Sequence, residues 1–240
     1  MFDAKKLLDQ FLGASSGKGG DGLRQKAGEA LAYAQNNPMK TGALAAALLG
    51  TKTGRKLAGS AVKIGSVAAV AGLGYLAYRN WQSGKTPQET AGAARSVDPA
   101  TLPVPEQSGF GPSSPDGSNE FVLVLVRAMI AAAKADGHID AAERSAIAEK
   151  MRSEEIDGEA AAFIERELSA PTDLDSMLAA AVTEEQRVEL YTVSRLTIEP
   201  DTRAERGYLD LLAGRLGLDD KLVDHIDASV TAHKAQIASS

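Results

Sequence analysis

The sequence predicts an all-α protein: a compact C-terminal bundle of about seven helices, preceded by a Gly/Ala-rich, membrane-associated helical segment and a disordered linker. Three observations predict it. Hydrophobic residues make up 44% of the chain but aromatics only 5%, and Ala carries much of the rest, which suits close helix–helix contact better than a sheet. Helix-start patterns recur at short intervals after residue 119. No run of alternating apolar and polar residues survives as a strand.

Charge divides the chain. Up to Gln82 there are eleven Lys/Arg against four Asp/Glu, a balance of +7; from Ser83 onward 15 face 28, a balance of −13. A basic front suits an anionic surface, and an acidic back suits solvent or cations. Nucleic acid is not expected as a partner, because no aromatic or motif interleaving accompanies the basic residues. Cysteine is absent, which excludes disulfides and Cys-based zinc sites.

Residues 1–60 form a basic helical region. Phe2, Leu7, Leu8, Phe11 and Leu12 fall at helical spacing, so Met1–Leu12 is either a frayed terminal helix or one that binds a surface. Ser15-Ser16-Gly17-Lys18-Gly19 lies in a Gly/Ser loop, and its spacing is wrong for a phosphate-binding loop. A helix follows from about Asp21 to Gln35, stopped at Asn36-Asn37-Pro38. Residues 61–82 hold the longest apolar stretch, uncharged from Ile64 to Tyr78, with Tyr75, Tyr78 and Trp81 gathered at one end as an interfacial belt would be. Its small residues, among them Gly65, Ala69 and Gly72, suit tight helix–helix contact in lipid and hence a homo-oligomer. The expectation is a membrane-inserted helix, with a Gly/Ala-rich hairpin or a buried soluble helix as the alternative. Flanking basic residues are nearly balanced, which leaves its orientation undecided. Residues 83–118 hold most of the chain's Pro with many Ser and Gly, and are expected to be an extended tether.

Residues 119–240 form the helical domain. Phe121–Ala135 is apolar almost all round, as a central bundle helix is. Asp140-x-x-Glu143, Thr183-x-x-Gln186 and Thr202-x-x-Glu205 are capping boxes, in which the cap side chain accepts the N3 amide and the N3 side chain reaches back. Thr172 and Asp219 are weaker caps. Helices are expected near 119–136, 140–153, 157–169, 172–181, 183–197, 202–216 and 219–236. His225 and His233 read as surface residues of the last one.

The stretch Ala135–Arg144 concentrates the chemistry. Asp136 ends one helix, Asp140 starts the next, and Gly137 between them permits a sharp turn. Oxygen ligands in such a turn suit Ca²⁺ or Mg²⁺, and His138 would add a nitrogen ligand. The spacing is not that of an EF-hand. A plain alternative stands beside this: Asp140 and Glu143 are fully employed as a capping box worth about 1 kcal/mol. A fainter echo follows at Thr202-Arg-Ala-Glu205-Arg206, preceded by Glu199 and Asp201.

The run Arg127–Asp140, with Ala204-Glu205-Arg206-Gly207-Tyr208-Leu209, resembles the TerB-like domain associated with tellurite resistance. With Thr51–Leu57 and Tyr75–Trp81 it resembles more closely the YebE-like family of bacterial inner-membrane proteins of unknown function. The resemblance covers most of the chain except the linker. It implies an all-helical fold, an inner-membrane location and metal binding through acidic turns. Carried over residue by residue, the metal ligands are Asp136, Asp140 and Glu143, then Glu199, Asp201 and Glu205. Pro200 and Thr202 depart from the first turn's pattern and weaken the second as a ligand set.

The function expected is therefore non-enzymatic: a membrane-attached protein whose acidic helical domain binds a divalent cation or a protein partner in envelope or metal stress. The competing expectation is a purely structural interaction module with no metal site. Paired carboxylates exist, but no nucleophile motif accompanies them, so a hydrolase is the weakest reading.

Overall fold

In a computed structural model of the chain, the structure describes residues 4–11, 67–111, 119–135, 145, 147, 148, 151 and 158–239. Among them run nine α-helices: α1 (Ala4–Phe11), α2 (Val67–Gln82), α3 (Pro87–Ser96), α4 (Asn119–Ala133), α5 (Gly158–Ser169), α6 (Leu174–Ala180), α7 (Glu184–Thr197), α8 (Arg203–Leu216) and α9 (Asp220–Ala238). Short 3₁₀ turns lie at Pro99–Thr101 and Glu106–Ser108. No strand occurs among the described residues. The all-α expectation holds.

Helix starts follow local chemistry. The expected capping boxes at Thr183/Gln186 and Thr202/Glu205 are both formed, and Asp219 caps α9. Each box satisfies amides that the first helical turn leaves without an internal partner. Asp173, not Thr172, caps α6, accepting from the Ser176 amide at 3.0 Å. The helix expected at Asp21–Gln35 lies outside the described residues.

The centre of the bundle is α7. It packs on α2, α4, α8 and α9, and 11 of its 14 residues are buried. Its neighbour α4 is buried almost all round, as its sequence requires. Six of α7's buried residues are polar or charged: Gln186, Glu189, Thr192, Ser194, Arg195 and Thr197. Burying such groups is tolerated only where hydrogen bonds or opposite charges replace water. Ser194 and Thr197 donate to the carbonyls of Leu190 and Val193, one turn back.

Three expectations for the N-terminal part are corrected. First, α1 is a packed helix and not a surface-binding one. Ala4, Leu7 and Leu8 are buried, the helix lies on α4 and α2, and Asp9 Oδ1 accepts from the Val67 amide at 2.9 Å, which caps α2 from a distance. Second, the membrane-inserted segment is not seen over Val67–Gln82. That helix has 16 residues, ten of them buried, and it packs on α3, α7 and α9. No helix among the described residues is long and apolar enough to cross a membrane. The small residues serve contact within the chain: a Cβ placed on Gly72 would fall 2.1 Å from the Pro99 carbonyl oxygen.

Third, residues 83–111 are not an extended tether. Thr86 and Glu89 form a capping box with Pro87 at the first helical position, starting α3, which packs along α9. Phe110 is buried against Tyr75 and Tyr78, with ring centroids 5.8 and 5.5 Å away. Gly109 and Gly111 flank it with φ of 79° and 85°, left-handed values that let the chain turn Phe110 inward. We call residues 85–111 the belt.

Candidate functional site

The expected site divides in two. Asp136, His138, Asp140 and Glu143 lie outside the described residues. Glu199, Asp201 and Glu205 stand where α7 hands over to α8, and the structure brings them near different partners.

Glu199 follows the C-terminus of α7 and is clamped by cations. Lys234 Nζ of α9 lies 2.9 Å from its Oε2, and Arg195 Nη2 lies 3.7 Å from its Oε1. Lys234 also donates to the carbonyl oxygens of Arg195 and Ile198, at 3.2 and 2.8 Å. A cation at the end of a helix meets carbonyls that the helix cannot satisfy and the negative end of its dipole. Burial pushes the Lys234 ammonium down to about 8, against the pull of Glu199. Arg195 is 4% exposed and adds hydrogen bonds to Ile198 O and Thr231 Oγ1, with its Nε 3.4 Å from Asp227 Oδ1. Tyr191 donates to that same Asp227 oxygen at 3.2 Å. Burial holds the Asp227 carboxyl above the usual range despite the Arg195 guanidinium beside it.

Glu205 is equally committed. It is 2% exposed, and its Oε2 accepts from the Thr202 amide and hydroxyl, both at 2.9 Å. Asp201 is exposed; its amide donates to Glu199 O at 2.7 Å around Pro200, and Arg206 donates to the Asp201 and Pro200 carbonyls. Glu199 and Glu205 thus do structural work. Among the described residues no group of three or more His, Asp or Glu side chains is arranged to hold a metal ion.

Several titratable groups were missed from the sequence. His225 and His233, read as surface residues, are 3% and 7% exposed. Their spacing with Leu222, Ile226 and Ser229 puts them on the apolar face of α9, a signal the sequence did carry. Glu189 is buried in α7, where its Oε1 accepts the Gly111 amide at 2.7 Å. Burial pushes its carboxyl up to about 7, the Gly111 hydrogen bond pulls it down, and the Glu185 charge adds a smaller push up.

Among the described residues a cleft of about 570 Å³ opens between α4, α5 and α6, lined among others by Arg127, Ile130, Lys134, Arg166, Asp173 and Met177. Its cations contact neighbouring groups. Arg127 and Arg166 lie over the Phe163 ring, 5.3 and 5.5 Å from its centroid, and Arg127 Nε is 3.3 Å from Glu167 Oε1. Lys134 Nζ donates to the carbonyls of Glu167 and Ala170 at the end of α5. Asp136 follows Lys134 by two residues in the sequence.

Fold and site define an all-α bundle whose described internal charges join its helices and whose open surface is a mixed-charge cleft. The family described as "Protein of unknown function (DUF533)" matches residues 34–230, and the chain belongs to it. It is also similar to the "Uncharacterized protein in ampR 5'region" of Yersinia enterocolitica, with 32% identity over 119 residues, 50% of this chain and 86% of that protein. No solved structure matches.

Proposed function

We propose that the chain is a non-enzymatic helical module that docks a protein partner in the cleft between α4, α5 and α6. One observation carries this reading. The cleft presents the Arg127 and Arg166 guanidiniums, both laid over the Phe163 ring, above a floor that includes the buried Ile130 and Met177. Arginine is enriched at binding hot spots, and a guanidinium already stacked on a ring gives up less side-chain freedom on association than a free one. The second acidic turn supports docking over cation binding, since Glu199 already faces two cationic side chains and Glu205 caps α8.

Site-specific photo-crosslinking in cells tests the reading. A crosslinker at Arg166 is expected to trap one discrete protein, which a crosslinker at the exposed Leu211 on α8 does not trap. The adduct should fade when Arg127→Glu is added. No discrete adduct from Arg166, or the same adduct from Leu211, overturns the proposal.

A further inference from the structure

The belt is fastened to the bundle by ionisable groups of opposite sign at its two ends. At its first end, α3 and the Pro99–Thr101 turn cover one side of α9 and α2. His225 touches this cover directly, and two helical turns further on the buried His233 lies within electrostatic reach of Asp98 in the turn. His225 Nδ1 lies 2.7 Å from Thr90 Oγ1 of α3, which also accepts from Asn80 Nδ2 of α2 at 3.2 Å, and His225 makes a backbone hydrogen bond with Lys85. His233 is 7% exposed, and neither of its ring nitrogens has a hydrogen-bond partner.

Among the described residues, three charged groups act on the rings. Glu89 of α3 and Asp224 of α9 act on His225, and Asp98 of the turn acts on His233. Each favours the imidazolium, but burial outweighs them, and both rings are held below the ordinary 6.5. The geometry explains why. Protonation of His233 adds a charge and a second N–H donor where no acceptor meets the ring, the costliest way to bury a polar group. Lifting the belt returns both rings to water and removes that cost.

The far end behaves in the opposite way. Gly111 is tied to the buried Glu189, and acid neutralises this carboxyl and so relieves its burial.

We infer that the belt is an acid-released clasp: protonation of His225 and His233 lifts residues 85–101 from α9 and α2, while Phe110 and Gly111 stay anchored on α7. The sign follows from linkage. A histidine depressed in the closed state contributes full stability above about 6.5 and loses it as pH falls. The surface uncovered includes Gly72, the close contact of the Pro99 carbonyl.

Hydrogen–deuterium exchange of the full chain at about pH 7.5 and about pH 5.5, corrected for the intrinsic rate, reads the clasp directly. Peptides covering 85–101 are expected to lose protection at the lower pH, while those covering 105–111 and α7 keep theirs. His233→Leu should reduce that response, and His225→Gln with His233→Leu should abolish it. Unchanged belt protection in the wild type, loss shared equally by belt and α7, or an undiminished response in the double variant overturns the inference. Should the variants not fold, NMR titration of the two wild-type imidazoles decides: both titrating at or above the ordinary value overturns it, and both below supports it.

Discussion

The backbone amide of Gly111 donates to the carboxylate of Glu189 at 2.7 Å, across 78 positions of sequence. The bond pins the belt's far end to the central helix and places a carboxyl in the core, pushed up to about 7 by burial. An acid raised in the folded state contributes stability that is full below its unfolded value, 4.5, and is lost as pH rises through about 7.

Glu189→Gln therefore has a pH-dependent outcome. The amide oxygen still accepts from Gly111, and the cost of burying a charge disappears. Between pH 5 and 8 the wild type should lose on the order of 1–3 kcal/mol relative to the variant. Urea unfolding at a series of pH values measures this. A variant less stable than the wild type at pH 8 would show that the ionised carboxylate is the favoured form.

The glycines of α2 and α3 should respond in graded fashion. Gly72→Ala puts a methyl 2.1 Å from the Pro99 carbonyl oxygen, and backbone must move to admit it. The cost should reach about 2 kcal/mol or more. At Gly74 the nearest atoms are side chains, Val188 Cγ1 at 3.3 Å and Phe110 Cε1 at 3.4 Å, so Gly74→Ala should cost less. Gly92→Ala meets nothing within 4 Å on α3 and should stabilise by roughly 0.5–1 kcal/mol through helix propensity. Urea midpoints should rank Gly92→Ala above wild type, then Gly74→Ala, then Gly72→Ala.

Arg195 is the hub of the buried charge network. Arg195→Met removes the cation facing Asp227 and one of the two facing Glu199, at a cost of about 1–3 kcal/mol near neutral pH, since both carboxylates are partly exposed and Glu199 keeps Lys234. Asp227 is already raised by burial, and without the guanidinium it rises further. The deficit should therefore shrink as the medium is acidified and the carboxyl takes up a proton. Thermal unfolding of both proteins across about pH 5–8 checks this, and a deficit independent of pH would assign the loss to packing instead.

How much of this was legible depended on whether the signal was local. The Thr183 and Thr202 boxes fold as written because both hydrogen bonds of a box lie within four residues. The role of α7 was hidden because its buried polar residues interrupt any apolar period, and their partners lie elsewhere: Gly111 for Glu189, Asp227 and Thr231 for Arg195. The belt read as a tether because Pro and Gly are counted as breakers, yet Pro87 starts a helix and Gly109 and Gly111 turn Phe110 inward. The α2 stretch read as a lipid helix because small residues permit close approach in either solvent, and here what approaches Gly72 is Pro99 of the same chain. Of the candidate ligands, the structure places only the second turn, where the sequence showed the acids but not Lys234, which meets Glu199 from 35 positions away.

That pairing sets the last prediction. A divalent cation at Glu199 would have to displace Lys234 and stand beside Arg195, two like charges within reach of the same carboxylate. Glu205 would have to leave the Thr202 amide unsatisfied, giving up a cap worth about 1 kcal/mol. In a ¹H–¹⁵N titration of the full chain with millimolar Ca²⁺ or Mg²⁺, the amides of Glu199, Asp201 and Glu205 should therefore hold their positions. Lys234→Met removes the competing ammonium and should destabilise the fold by leaving Glu199 with only the more distant Arg195 of its two cations, while opening one carboxylate oxygen to metal. A shift of these amides in the wild type at millimolar cation would mean that the clamp yields to metal. The same spectra read the amides of Asp136, Gly137 and Asp140, so the first acidic turn is tested separately from the second.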